Sequence, residues 1–436
     1  MLAQASVSAR PPSTDVAAVA RLSWPIAVSM LSYVAMGVTD TLFVGRLGTT
    51  PLAAVGLAVN QAFLATALFA GTLEGLRVQV AHATGAGRTG RADRLAWSGL
   101  SLAAGFGLVC AACAPFGESV FSALGTEGAV TDLAATYFAY RILAAPVLFL
   151  GVAISGWLAG RGDTRSVMVA ALASNGVNIA LDVLLVPELG IGGAGIASAC
   201  AQVTGTAVLA VAARRLLARP RRPRWTDLRD ILRVGFPIGV NHWLDVASYA
   251  VFAVLLASAG EAQLAAHVVA VRILSVSFLP GMAIGEAGGV LVGQAIGAGR
   301  PAEARRAFRS AALLALGVML SFSAAFAAYP GAWLAPFRVA LDVEVVAVRV
   351  LLLAAGIQVF DAVATTAMLA LNGAGDTRFT LGVTVSAAWL IKLPIAALLV
   401  CGYGWGAVGA WTGMACELGI VAVVLGLRIR GDRWLR

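Results

Sequence analysis

Apolar runs of about 20 residues recur from one end of this sequence to the other, the length needed for a helix to cross about 30 Å of hydrocarbon. Of the 436 residues 60% are hydrophobic and 12% charged, too much apolar surface for a water-soluble fold of this length to bury. The runs are continuous rather than alternating, which argues against a transmembrane barrel. The chain therefore reads as an all-α polytopic membrane protein. Its 49 glycines suit close helix packing in lipid.

A second constraint is duplication. Gly-Arg-Gly-Asp-Thr-Arg at 160–165 returns as Gly-Ala-Gly-Asp-Thr-Arg at 373–378, so that Asp163 and Asp376 lie 213 positions apart. Trp24-Pro25-Ile26 answers Phe236-Pro237-Ile238, Gly85-Ala86-Gly87-Arg88 answers Gly297-Ala298-Gly299-Arg300, and Glu74 answers Glu286. Whole-chain duplication of hydrophobic helices is the organisation expected of a transporter.

Twelve spans are predicted, six per half. They cover 22–44, 52–76, 95–115, 130–158, 165–187 and 193–216, then 233–258, 263–292, 306–329, 345–371, 379–401 and 406–427. An Arg/Pro-rich stretch, 214–233, separates the halves. The organisation is a tail at 1–20, a first lobe at 21–217, a linker at 218–228, a second lobe at 229–427 and a tail at 428–436. Several runs exceed the bilayer thickness, so tilt or extension past the membrane is expected.

The net charge of +9 is spread over short loops, which fits a membrane protein better than a nucleic-acid partner. Basic residues crowd the N-terminus, the even-numbered loops and the C-terminus, among them Arg10, Arg77, Arg88, Arg161, Arg165, Arg300, Arg378, Arg428 and Arg436; the odd-numbered loops carry only Arg46 and Arg338. Both termini are thus expected on the cytoplasmic side of a plasma membrane, the inner membrane in a bacterium. No cleaved signal peptide is expected, because the segment before Arg21 has no apolar core. Six spans per half give both halves one orientation, with an axis along the membrane normal and a cleft between them.

Several patterns are expected to be structural. Gly190, Gly192 and Gly195, and likewise Gly404, Gly406 and Gly409, fit G-x-G-x-x-G but open membrane helices instead of joining strand to helix, and read as tight turns. Asp163 and Asp376 are expected to cap the following helices. The cysteines, including Cys110-x-x-Cys113, read as small buried thiols without metal. Arg141, Arg272 and Arg349 lie near helix ends and are expected to snorkel. His82, His242 and His267 form no H-E-x-x-H, and no G-x-S-x-G occurs, so an intramembrane enzyme has no visible catalytic set.

Ionisable groups inside a bilayer are costly and usually functional. Asp40 in span 1, Asn178 and Asp182 one turn apart in span 5, and Ser198 in span 6 offer only oxygen donors. Such a set could bind a hard monovalent cation or hold a proton, since burial and a like-charged neighbour both favour the neutral acid. The second half has Asp245 in span 7, Asp361 in span 10 and Lys392, the only lysine, in span 11. Lys392 is expected to pair with Asp245 or Asp361, either as a permanent lock or in competition with a proton or substrate. Glu74 and Glu286, paired across the halves, are expected to gate or pack.

The pieces Trp24-Pro25-Ile26, Val38-Thr39-Asp40-Thr41, the 160–165 loop, Asn178 to Asp182, the 193–198 stretch, Phe236-Pro237-Ile238, Ala265-Ala266-His267-Val268-Val269-Ala270 and the 373–378 loop occur here in order. In this arrangement the chain resembles the multidrug and toxic compound extrusion (MATE) family over roughly 15–430. The resemblance implies two six-helix lobes in a V around a central cavity. It implies export of amphiphilic, usually cationic compounds in exchange for H⁺ or Na⁺. Asp40, Asn178, Asp182 and Ser198 fall where members have the first lobe's cation or proton site, with threonine commoner at the last position. Asp245 and Asp361 fall where one branch has second-lobe coupling acids, with glutamate commoner in span 7. Because Lys392 could already neutralise one of these, H⁺ coupling through Asp40 and Asp182 is favoured over Na⁺. No cofactor and no obligate oligomer are expected; the partners are small amphiphilic cations and the bilayer. The rival readings are a flippase for lipid-linked precursors or polysaccharide, which would want a basic cavity, and a non-transporting scaffold or enzyme.

Overall fold

A computed structural model describes residues 14–435; Arg10, Arg436 and most of the 1–20 tail lie outside the described residues. All described elements are helical. Span 1 is Val16–Gly45, span 2 Thr49–Gly85 and span 3 Thr89–Ala111. Span 4 is two helices, Ala129–Leu143 and Ala145–Gly160, bent by 44°. Pro146, in the first turn of the second helix, has no N–H to continue the hydrogen-bond ladder, which locates the bend. Spans 5 and 6 are Thr164–Leu189 and Ile191–Ala212.

The second half repeats the order. Span 7 is Trp225–Ser258, span 8 Glu261–Gly297, span 9 Pro301–Ala328 and span 10 Leu341–Ala374. Span 11 runs from Thr377 to Gly402 and contains two π-helical turns, Ala388–Lys392 and Leu398–Gly402. The first immediately precedes Leu393 and Pro394. A proline leaves a carbonyl one turn back without its usual donor, and a widened turn is a common accommodation. Span 12 is Gly406–Arg430. The six-per-half prediction holds, and the chain is a multi-pass membrane protein.

Most helices extend further than their apolar runs. Arg77, expected in a loop, lies inside span 2, because that helix continues to Gly85. Gly190, Gly404 and Gly406 have positive φ of 59°, 69° and 54°, as expected for turns into spans 6 and 12. Asp163 caps span 5: its Oδ1 accepts from the Ser166 amide at 3.1 Å. Asp376 makes no such cap; its Oδ2 instead accepts from Arg428 Nε at 2.8 Å. Of the cysteines only Cys110 is fully buried, while Cys113, Cys200 and Cys401 are exposed on the helix surfaces.

The halves meet at the end of the bundle that carries the start of span 1 and the end of span 12. There Gly71 and Gly75 of span 2 lie against Gly239 and Gly235 of span 7, so closely that a methyl group on any of them would overlap the opposite backbone. The early turns of span 1 pack with Ala18, Val19 and Ile26 into a core built by spans 8, 9, 10 and 12. Thr14 accepts a hydrogen bond from Ser310 in span 9. Every side-chain hydrogen bond between the halves among the described residues lies at this closed end.

Candidate functional site

In the first half, span 1 carries Asp40 near its far end, where span 5 presents Asn178 and Asp182 on one face, four residues apart. Asn178 and Asp182 are completely buried and Ser198 and Asp40 nearly so. The Ser198 hydroxyl points at Asp40 Oδ2 from 3.4 Å, and the Asp182 carboxyl is a close neighbour of that of Asp40. The four residues expected to act together are therefore brought together. Asp40 Oδ1, both oxygens of Asp182 and both polar atoms of Asn178 are buried without a partner. Buried polar atoms are nearly always paired, and each unpaired one needs a reason. No basic side chain pairs with either carboxylate among the described residues. A proton shared between the acids, or a small cation among these oxygens, would satisfy the set.

A cavity of about 370 Å³ lies between spans 1, 2, 4, 5 and 6. Ser174, one turn from Asn178, lines one part of it, with Gln202 and Thr206 further along; Glu74, Arg77 and Glu286 line another. A largely apolar hollow with polar groups at intervals thus separates the paired acids from the closed end.

The second half is arranged differently. Lys392 is completely buried, its Nζ 3.2 Å from Glu417 Oε2 in span 12. It donates to Ser248 Oγ at 3.0 Å and sits 4.3 Å from the centre of the Tyr249 ring. The expected partner of Lys392 was Asp245 or Asp361; the contact is made by Glu417 instead. The π-helical turn that contains Lys392 helps explain this, because widening the helix shifts the side chain from where a regular count places it. Asp245 is exposed on span 7, near Lys392 and His242, and Asp361 is half-buried, accepting from Thr365 at 2.9 Å. His267 is structural: its Nδ1 accepts from Trp411 Nε1 at 3.2 Å, and its ring packs on Phe252.

At the closed end Arg77 joins the two glutamates related by duplication. Its Nη2 lies 2.5 Å from Glu74 and its Nη1 2.6 Å from Glu286 of the other half. Next to it, His82 Nε2 donates to the carbonyl of Gly373 at 2.8 Å, and Gln294 Nε2 donates to the carbonyl of Gly160 at 3.0 Å. These two bonds are reciprocal. Each runs from the last turns of span 2 or 8 to the first glycine of the other half's Gly-x-Gly-Asp-Thr-Arg loop.

The architecture and the two duplicated sites can be set against known proteins. The MatE family model matches twice, over residues 25–184 and 237–398. The chain belongs to the MatE family. The two matches coincide with the duplication, one per half. Among curated relatives, the probable multidrug resistance protein NorM of Burkholderia pseudomallei is 30% identical over 96% of this chain and 94% of that protein. The NorM of Bradyrhizobium diazoefficiens is 31% identical over 94% and 92%. The fold is similar to a solved multidrug resistance MATE family transporter in an outward-facing conformation, with a TM-score of 0.89 at 23% identity and 95% coverage of both chains. It is equally similar, at the same values, to a transporter of the wider superfamily from Pyrococcus furiosus, described as having a binding pocket of reverse polarity.

Within this MatE architecture, some residues at the sites escape a reading of the sequence. Glu417 stands alone among apolar residues of span 12, so the rule that singles out Asp245 should also have singled it out. Ser248 and Tyr249 carry no such signal. Nor do His82 and Gln294, which look unrelated until the duplication aligns them at an offset of 212.

Proposed function

We propose that this protein is a secondary active exporter that moves amphiphilic organic cations out across a bacterial inner membrane in exchange for inward H⁺. Asp40 and Asp182 hold the coupling proton, and Asn178 and Ser198 complete the site. The observation that carries this reading is the buried, mutually facing pair of carboxylates without a basic partner. Two such acids cannot both stay charged at close range, so one proton is held when the site is closed to water. The named activity of the NorM relatives and the acidic balance of the cleft support drug cations over a lipid-linked pyrophosphate. Asp245, exposed, and Asp361, half-buried, contribute attraction for the cationic cargo. The positive-inside pattern supports cytoplasmic termini, which makes the closed end the cytoplasmic end and the cleft outward-open.

The cycle requires that proton and cargo bind the two states differently, since only differential affinity shifts an equilibrium. Protonation from outside repacks span 1 on span 5 and weakens the outward cargo site. Cargo leaves, the lobes 21–217 and 229–427 rock, and the closed end opens. Breaking it separates Arg77 from Glu286, His82 from Gly373 and Gln294 from Gly160. The hollow from Ser174 to Arg77 offers the proton its inward exit. The protein works as a monomer, with no cofactor and no enzymatic step.

The test is uptake of a fluorescent organic cation into inside-out proteoliposomes, under a pH gradient or a Na⁺ gradient alone. The expected result is drive by the pH gradient, lost in Asp40→Asn. Drive by Na⁺ that also needs Asp40 would put a metal ion among the same oxygens. Na⁺ drive lost only in Asp361→Asn would move coupling to the second half. Absence of gradient-driven uptake for every cation tried would favour the flippase reading.

A further inference from the structure

Arg165 and Arg378 end the two Gly-x-Gly-Asp-Thr-Arg loops, and neither takes part in the contact between the halves. Each lines an open groove at the closed end. In the first, of about 530 Å³, Arg165 at the start of span 5 faces Arg214 and Arg215 just beyond span 6. Below them the groove wall is Val169, Val208 and Val211. In the second, of about 620 Å³, Arg378 at the start of span 11 faces Arg229 and Arg233 in the first turns of span 7, beside Trp225, Leu232 and Phe236. Val169, Val211, Trp225 and Phe236 are each more than half exposed.

None of these six arginines forms an ion pair among the described residues. The nearby acids are engaged elsewhere. Asp163 accepts from Ser166, and Asp376 accepts from Arg428. Asp230 pairs with Arg91, and Asp227 is buried facing Arg94. Each groove therefore presents three free guanidinium groups above an exposed apolar wall. The arginines occupy the terminal turns of their helices, where a bilayer's headgroup layer meets its hydrocarbon.

We propose that each groove is a site for one anionic phospholipid, its phosphate held by the three guanidinium groups and its acyl chains laid along the apolar wall. Guanidinium groups bind phosphate oxygens through paired hydrogen bonds, and basic pockets between membrane helices suit anionic headgroups. The duplicated motif thus does two jobs. Its first glycine accepts the bond between the halves, and its last arginine holds lipid beside the helix that follows. Arginines retained only to set membrane topology would need no such pocket and no preference among lipids.

The test is native mass spectrometry of the full-length protein in detergent. Phosphatidylglycerol is compared with phosphatidylcholine of the same acyl chains, and with glycerol 3-phosphate as a soluble headgroup. The wild type should retain two phosphatidylglycerol molecules. Arg165→Gln/Arg214→Gln/Arg215→Gln should lose one site, and Arg229→Gln/Arg233→Gln/Arg378→Gln the other, with affinity at the altered site falling about 100-fold. The corresponding Arg→Lys variants keep the charge and guard against misfolding. They should still prefer phosphatidylglycerol but bind it about tenfold more weakly, because an ammonium is a point charge without the planar fork. The proposal is overturned by equal retention of the two lipids, or by two bound lipids in the six-fold Gln variant. Unchanged binding in the Lys variants would mean diffuse charge rather than a guanidinium site. Competition by glycerol 3-phosphate as effective as that of the lipid would mean a free-phosphate site.

Discussion

The two halves descend from one unit, yet they treat buried charge in opposite ways. In the first, Asp40, Asp182 and Asn178 keep five polar atoms buried and unpartnered. In the second, the buried charges come with their own cation: Lys392 is held by Glu417, Ser248 and the Tyr249 ring. A site that lacks a cation must take one from solution, and a site that contains one need not. Lys392 falls near the counterpart of Asn178, at an offset of 214 against 213 for Asp163 and Asp376, so the two halves place an amide and an ammonium at nearly matching positions. In the proposed cycle this concentrates coupling in the first half and leaves Asp245 and Asp361 to attract the cationic cargo.

The sharpest way to break this contrast is to neutralise each half's acids. Asp182→Asn should abolish gradient-driven uptake, lowering it at least about 100-fold, whereas Asp245→Asn should slow transport without uncoupling it. Equal losses in proteoliposome flux from the two variants would erase the division of labour.

The next effect concerns stability. Lys392→Met strands Glu417 in the core and should cost about 3–5 kcal/mol, read as a large drop in melting temperature in detergent. Lys392→Met/Glu417→Met removes both charges and should recover most of the loss. A double variant as unstable as the single one would mean that Lys392 serves chiefly Asp245. The same double variant should remain proton-driven, because the first half is untouched.

The closed end supplies a third test. Arg77→Ala leaves Glu286 without its partner and should move the equilibrium toward opening there by about tenfold. In a background freed of the five native cysteines, Ala81→Cys, buried at the contact between the halves, reports it through its rate of thiol labelling. His82→Ala should give a smaller increase, since the reciprocal bond from Gln294 to Gly160 survives it. No change in labelling for either variant would remove these contacts from the gate.

The smallest effect compares the duplicated loops. Asp163→Ala loses a helix cap and should cost about 1 kcal/mol. Asp376→Ala loses a partly exposed ion pair with Arg428, whose worth is about 1 kcal/mol or less. Thermal melts that rank the two the other way would mean that the loops have diverged less in role than in contact.

Much of the fold was legible because membrane insertion imposes a one-dimensional rule. Each span must be long, apolar and helical, and duplication repeats the rule at a fixed offset. The acids of the first-half site were legible for the same reason: Asp40 and Asp182 interrupt apolar runs. Less could be read where a helix departs from regularity or outruns its apolar stretch. Arg77 looked like a loop residue because the apolar run ends near Leu76, although the helix continues to Gly85. The fate of Asp376 was hidden because its competitor for the cap, Arg428, is 52 residues away.

The sequence alone determined the number of spans, their repeat and the acids at stake, because hydropathy and charge act residue by residue along the chain. Only the tertiary structure decided who partners whom. Lys392 goes to Glu417, Arg77 joins Glu74 to Glu286, and Asp40 faces Asp182 with no basic group between them. A buried polar atom takes the best partner within about 3 Å, and which atoms come that close is set by helix packing, glycine contacts and one π-helical turn.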